Sequence, residues 1–178
     1  MLIFIEGGAK SGKTSFAEHF IQQRQGGRKV YLAAADPQDA EMSRRINSHQ
    51  CKRQNAREQW VTIEQPYDLM RCIEQVQAGD HVLLDCLTTW LSNEMFSSGS
   101  WHVQMGPALM LEALSNLQKK TATLLVVSSD ISHQSAGHPD MIQFLKVQGR
   151  LSSQIVKRAD LAGMVNYGCL RSMKGEWQ

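Results

Sequence analysis

Leu2-Ile3-Phe4-Ile5-Glu6-Gly7-Gly8-Ala9-Lys10-Ser11-Gly12-Lys13-Thr14 passes from a short apolar run into a glycine-rich loop. Residues Gly7 to Thr14 fit G-x-x-x-x-G-K-S/T at every fixed position. Each fixed residue answers a separate demand. Glycines let the backbone curl until several N–H groups point inward at a phosphate. A helix that follows presents its positive end to the same anion. Lys13 can reach the β- and γ-phosphates, and the Thr14 hydroxyl can ligate Mg²⁺. Ser15 to Gln23 supplies the helix, with Phe16 and Phe20 on one face before Gly26-Gly27 stops it.

Outward from this loop, apolar runs alternate with helix-like segments, the pattern of a parallel α/β sheet. Strands are expected at Leu2–Ile5, Val30–Ala34, Trp60–Ile63, His81–Asp85, Thr123–Ser128 and, last, Ala162–Tyr167. Helices are expected at Asp39–Arg53, Tyr67–Ala78, Thr88–Phe96, from Pro107 through Leu117, and at Met141–Ala159. No repeat or linker divides the 178 residues, so one P-loop nucleotide-binding domain is expected over 1–178.

A formal net charge of +2 gives no case for a nucleic-acid partner. The apolar start ends at Glu6, too short for a signal peptide, and no run reaches the length of a membrane span. The four cysteines have no metal-ligand spacing and read as reduced, mostly buried thiols of a cytoplasmic chain. Trp90 reads as helix packing, Trp101 could stack on a ring system, and Met95, Met105 and Met110 read as core filling. His133 and His138 read as exposed loop residues.

A phosphate loop needs an acidic partner at the end of a neighbouring strand to organise the metal. Val82-Leu83-Leu84-Asp85 has that form, against the plainer reading of Asp85 as a turn residue. Steps of four put Glu41, Arg45, His49 and Arg53 on one helical face, with Lys52 alongside. Cations around a histidine disfavour its protonated form and leave a nucleophilic ring nitrogen. The spacing fits equally a solvated basic face with an incidental histidine.

At these residues the chain resembles the bifunctional adenosylcobinamide kinase / adenosylcobinamide-phosphate guanylyltransferase family of cobalamin biosynthesis. Gly7 to Thr14 is close to that family's G-G-A-R-S-G-K-S. The resemblance continues through Tyr31 to Ala34, Glu41-Met42-x-x-Arg45-Ile46-x-x-His49, Arg53, Trp60 to Pro66, and Leu83-Leu84-Asp85-Cys86-Leu87-Thr88-Thr89-Trp90-Leu91-Ser92-Asn93. The C-terminal half diverges. Ser129 and Asp130 stand where the family has Asn and Glu, and Ser152-Ser153 follows Gly149-Arg150-Leu151 in place of N-Q.

The resemblance implies a single-domain P-loop NTPase of the RecA-like kind, a mostly parallel sheet with helices on both faces, and a homo-oligomer, often a trimer. It implies a transferase that phosphorylates the corrinoid adenosylcobinamide and then transfers GMP from GTP to the product, with GTP or ATP and Mg²⁺. His49 takes the place of the family's guanylylated histidine, with Lys13 also catalytic. Nucleotide contacts fall on Gly7, Gly8, Ala9, Lys10, Ser11, Gly12, Lys13 and Thr14, on Ala33, Ala34 and Ala35, and on Arg45, Gln50 to Arg53, Glu64 and Asp85. Thr14 and Asp85 would hold the metal. The divergent half keeps two alternatives open: a nucleotide-binding regulatory protein, or a kinase with a different small-molecule acceptor.

Overall fold

The computed structural model describes residues 1–35, 60–133 and 137–177. The expected helix Asp39–Arg53, with Arg45, His49 and Arg53, lies outside the described residues. Seven strands form one sheet: β1 (Leu2–Gly7), β2 (Lys29–Ala33), β3 (Trp60–Glu64), β4 (His81–Asp85), β5 (Thr123–Ser129), β6 (Leu161–Asn166) and β7 (Cys169–Lys174). The spatial order is β3-β2-β4-β5-β1-β6-β7. Every pairing is parallel except β6 with β7.

Central strands of a parallel sheet are covered on both faces and so read as continuous apolar runs. Alternate residues of those runs serve two cores. Ile3, Ile5, Leu83, Leu125 and Val127 pack on α1 (Lys13–Gln22) through Ala17, Phe20 and Ile21. Leu2, Phe4, Val82, Leu84, Leu124 and Val126 face the other way. There they meet α2 (Leu87–Phe96), α3 (Gly106–Lys120) and α4 (Pro139–Arg158), which contribute Leu91, Leu114, Leu117, Leu151 and Ile155. The helices on both faces are thus set by the period-two alternation within each strand.

Two expectations need correcting. Tyr67–Ala78 is not an α-helix; it forms a 3-10 helix over Leu69–Gln75, and Val76 is already extended. The buried pair Leu69 and Cys72 is spaced by three, which a 3-10 turn stacks on one side. The Cys72 thiol bonds back to the Leu69 carbonyl at 3.0 Å. The second correction is the end of the chain: β6 is not the last strand. Tyr167 (φ 52°) and Gly168 (φ 77°) form a two-residue turn of the kind that closes β-hairpins, and β7 runs back along β6. β7 is a mostly exposed edge strand carrying Arg171 and Lys174, charges that keep an edge from pairing with another chain. Beyond it, Trp177 packs edge-on against Phe16 and Phe20, with ring centroids 6.1 and 5.5 Å away, and covers α1.

The end of the sheet away from the phosphate loop is stitched by Asp80. Its buried carboxylate accepts from Arg28 at 3.0 and 2.7 Å and from the Gln77 N–H at 2.7 Å. Its carbonyl accepts the Ala122 N–H at 2.9 Å, just before β5 begins. Burial alone would raise this carboxyl; the bonds from Arg28 and Gln77 outweigh it and hold the group below the usual carboxylate range. A depressed folded pKa contributes stability that is complete above the unfolded value of about 3.9 and is lost as pH falls through the folded one. Asp80→Asn is therefore expected to cost about 2 kcal/mol at pH 7, the scale of lost charged hydrogen bonds. In urea melts the deficit should shrink between pH 4 and pH 2; an undiminished deficit at the lower pH would contradict the charge argument.

Candidate nucleotide site

The parallel register brings the C-terminal ends of five strands into one row. Ala33 lies beside both Glu64 and Asp85, Asp85 beside Val127, and Ser129 beside Gly7. β5 therefore stands between the strand that feeds the glycine-rich loop and the strand that ends in Asp85.

The loop is held on both sides. The Gly7 carbonyl accepts the Asp130 N–H at 2.9 Å as the chain leaves β5. The Ser11 carbonyl accepts the Gly168 N–H at 2.8 Å, from the turn between β6 and β7. Glycine is obligatory at two points. A Cβ at Gly7 would stand 2.4 Å from the Val165 carbonyl oxygen. Gly12 caps α1 at φ 89° and is packed on Gly168, whose Cα would lie 3.1 Å from an added Cβ. Lys10 also adopts a positive φ, 57°, while Ala9 and Lys10 are exposed. Lys13 bends back over the loop, its ammonium donating to the Gly8 carbonyl at 3.0 Å. Thr14 is half-buried in the first turn of α1, and no acidic residue occupies that turn. The result is a positive helix end suited to an anion.

Asp85 is fixed from the same sheet face as α1. The Tyr31 hydroxyl donates to its Oδ2 at 2.7 Å, and its backbone carbonyl accepts the Ala34 N–H at 3.0 Å. Among its neighbours, Glu64 is exposed at the end of β3, whereas Ala33 and Ala34 are covered. Asn93 on α2 donates to the carbonyls of Ala34 and Pro66 at 2.7 and 3.1 Å. This ties α2 across the ends of β2 and β3.

A second polar group lies on the opposite face of the sheet, where Glu6 meets Ser128. Gln148 of α4 donates to the Ser129 carbonyl at 2.8 Å and to the Thr88 hydroxyl at 3.2 Å, and Thr88 accepts the Ser129 N–H at 2.9 Å. Burial, followed by the Asp130 charge, raises the Glu6 carboxyl despite its bond from Ser128. Asp130 itself is lowered by bonds from Ser132. Tyr31, Gln148 and Gly168 were not foreseen as site residues. Only strand pairing and helix docking bring them here, and they carry no local sequence signal.

The remaining side chains behave more plainly. Trp90 is buried and donates to Glu94 at 2.9 Å. Trp101 lies flat against Gly106 and borders a cavity of about 730 Å³ between the 3-10 helix, α2 and α3. None of the residues lining that cavity belongs to the phosphate loop. Met110 fills the core and Met95 packs against it, but Met105 is exposed, contrary to expectation. His133 is exposed, and His138 is exposed and caps α4 through a bond from the Asp140 N–H. Cys72 and Cys86 are buried free thiols, the former pushed up to about 11 by burial, while Cys169 is a free thiol at the surface. Among the described residues no helix is long and apolar enough to cross a membrane.

Known proteins agree with this geometry. The KaiC-like protein of Pyrococcus horikoshii superposes with a TM-score of 0.52 at 12% identity, over 92% of this chain and 71% of its own. An ATPase from the type III secretion system of pathogenic bacteria gives 0.54 at 11% identity, over 96% and 56%. These likenesses concern the fold, a mostly parallel sheet with helices on both faces. In sequence, the bifunctional adenosylcobalamin biosynthesis protein CobP of Pseudomonas aeruginosa is 29% identical over 174 residues, 97% of this chain and 96% of that protein. Its counterpart CobU of Escherichia coli is 29% identical over 180 residues, 94% and 97%. The family model of cobinamide kinase / cobinamide phosphate guanyltransferase matches residues 3–173, and the chain belongs to that family.

Proposed function

We propose that this chain phosphorylates the hydroxyl of adenosylcobinamide with GTP or ATP and then transfers GMP from GTP to the resulting phosphate. The observation that carries the reading is the family match from residue 3 to residue 173, set on a phosphate loop clamped between β5 and the β6–β7 turn. Relatives of matching length are named bifunctional adenosylcobalamin biosynthesis proteins.

In this reading the amides of Gly8 to Thr14 and the Lys13 ammonium hold the phosphates, and Lys13 neutralises charge that develops on them. Ala35 and Glu64 border the base and ribose, beside covered Ala33 and Ala34. The Thr14 hydroxyl and the Asp85 carboxylate are hard oxygen donors, and the Tyr31 hydroxyl orients the carboxylate through Oδ2. Mg²⁺ fits such a pair; Thr14 and Asp85 would hold it, and it would supply neutralisation of phosphate charge. His49 attacks the α-phosphorus of GTP: an N–P bond forms as pyrophosphate leaves, and the acceptor phosphate later displaces the histidine. Arg45 and Arg53 balance the charge. The enzyme works as a cytoplasmic homo-oligomer, a trimer by family resemblance.

A second reading, a relative with another hydroxyl acceptor, is favoured by Ser129 and Asp130 at the exit of β5, where the family carries Asn and Glu. Incubation with α-labelled GTP separates the readings. Acid-labile, base-stable label should appear on the protein, be lost in His49→Ala, and move to adenosylcobinamide phosphate when that is added. Label retained in His49→Ala would sink the histidine assignment. GTP binding with neither label nor phosphorylated cobinamide would instead identify a regulatory protein, and γ-phosphate consumption without GMP transfer would identify a kinase for another acceptor.

The Tyr31 contact gives a finer prediction. Tyr31→Phe frees Asp85 to rotate, and loss of such an orienting bond weakens a metal site about 10-fold or more. The Mg²⁺ concentration for half-maximal phosphoryl transfer should rise by that factor, with metal-free nucleotide affinity unchanged. An unaltered Mg²⁺ titration would show that Asp85 does not depend on Tyr31.

A further inference from the structure

The carboxyl group of Glu6 directly precedes the phosphate loop, yet it faces away from α1, toward α2 and α4. Its strand neighbour across β5 is Ser128, whose hydroxyl lies 3.4 Å from Glu6 Oε1. The next turn of chain carries Asp130, whose N–H is fixed to the Gly7 carbonyl. Two carboxylates thus flank the first residue of the loop, Glu6 on β1 and Asp130 just past β5, both half-buried. On the other neighbour, β6, the residue in register is the neutral Met164.

The surrounding network has a gap of a particular kind. Gln148 is 4% exposed and its amide nitrogen reaches Ser128, Ser129 and Thr88, but its buried Oε1 has no partner among the described residues. That buried acceptor and the hydroxyls of Thr88 and Ser128 make the surroundings of Glu6 polar. β5 lies between the loop strand and the Asp85 strand, so its exit borders the place where a terminal phosphate would sit between Lys13 and Asp85.

We infer that Glu6 accepts the proton of the substrate hydroxyl during phosphoryl transfer, with Asp130 remaining ionised beside it. The inference rests on the kinase half of the proposed function. As the hydroxyl oxygen forms its bond to the γ-phosphorus, the bond from that phosphorus to the β-bridging oxygen breaks. The nucleoside diphosphate carries off the electron pair, and the hydroxyl proton goes to a Glu6 carboxylate oxygen. The opposite environments of the two carboxyls assign their parts. Burial and the Asp130 charge raise Glu6 toward neutrality, where a base is effective, whereas the Ser132 bonds lower Asp130. Ser128 and Gln148 act as positioning residues.

The test uses the full chain, γ-labelled nucleoside triphosphate and adenosylcobinamide over a range of pH. In Glu6→Gln, kcat for phosphoryl transfer should fall about 10²-fold or more, the usual worth of a general base. The KM for the triphosphate and its equilibrium affinity should stay within about twofold, a split that damaged folding would not give. The acid limb of the wild-type pH–rate profile should flatten in Glu6→Gln, and Glu6→Asp should retain that limb at reduced rate. Wild-type turnover with an intact acid limb in Glu6→Gln would overturn the inference, as would parallel loss of turnover and nucleotide affinity. A wild-type chain that forms no adenosylcobinamide phosphate would overturn the kinase reading itself, and this inference with it.

Discussion

The hydrogen bond from the Asp130 N–H to the Gly7 carbonyl extends the β1–β5 pairing one step past the sheet, and the site depends on that step. A phosphate loop has no core of its own; its amides converge only if its first and later residues are pinned. Gly7 is pinned to β5, and Ser11 is pinned to the β6–β7 turn through Gly168. Because those anchors sit on the two strands flanking β1, the loop cannot tilt without breaking one of them. Absence of a Cβ at Gly7 allows the Val165 carbonyl to approach the loop, and a left-handed Gly12 turns the chain into α1.

Parallel pairing does the rest of the assembly. Successive strands in such a sheet all end on one side, so residues far apart in sequence arrive in a row without any local signal for it. Glu64, Asp85, Ser129 and Gly7 come from four strands and meet through register alone. Alternation then separates their tasks. Asp85 belongs to the face of α1, where Tyr31 holds it, and Glu6 with Ser128 belongs to the face of α2 and α4. One sheet edge thus carries a carboxylate suited to a cation on one side and a raised carboxyl among hydroxyls on the other.

How much of this was legible follows the same physics. Strands buried on both faces must be apolar throughout, so Leu2–Ile5, Val30–Ala34, His81–Asp85 and Thr123–Ser128 could be placed to within a residue or two. The loop was legible because Gly7, Gly12, Lys13 and Thr14 are individually required by its geometry. β7 was hidden because an edge strand needs no apolar pattern. The 3-10 helix was hidden because Leu69, Cys72 and Val76 satisfy an α-helical stripe as well as a tighter turn. Tyr31 looked like one more strand residue, and its role appears only when β2 lies beside β4. Asp85 could be proposed from its strand, but what orients it could not.

The divergence at Ser129 and Asp130 takes on a different weight in this geometry. Ser129 contributes backbone rather than side chain: its N–H goes to Thr88 and its carbonyl accepts from Gln148. A side-chain amide at this position is therefore not needed to join β5 to α2 and α4. Asp130 likewise secures the loop through its N–H, a bond that any residue except proline can make. What the position adds chemically is its carboxylate, and that charge acts on Glu6. Substitutions at the exit of β5 can thus leave the phosphate loop intact while resetting the proton affinity of the group beside it. Backbone bonds fix the loop at Gly7 and Ser11, whereas the environment of Glu6 is set by side chains at the exit of β5.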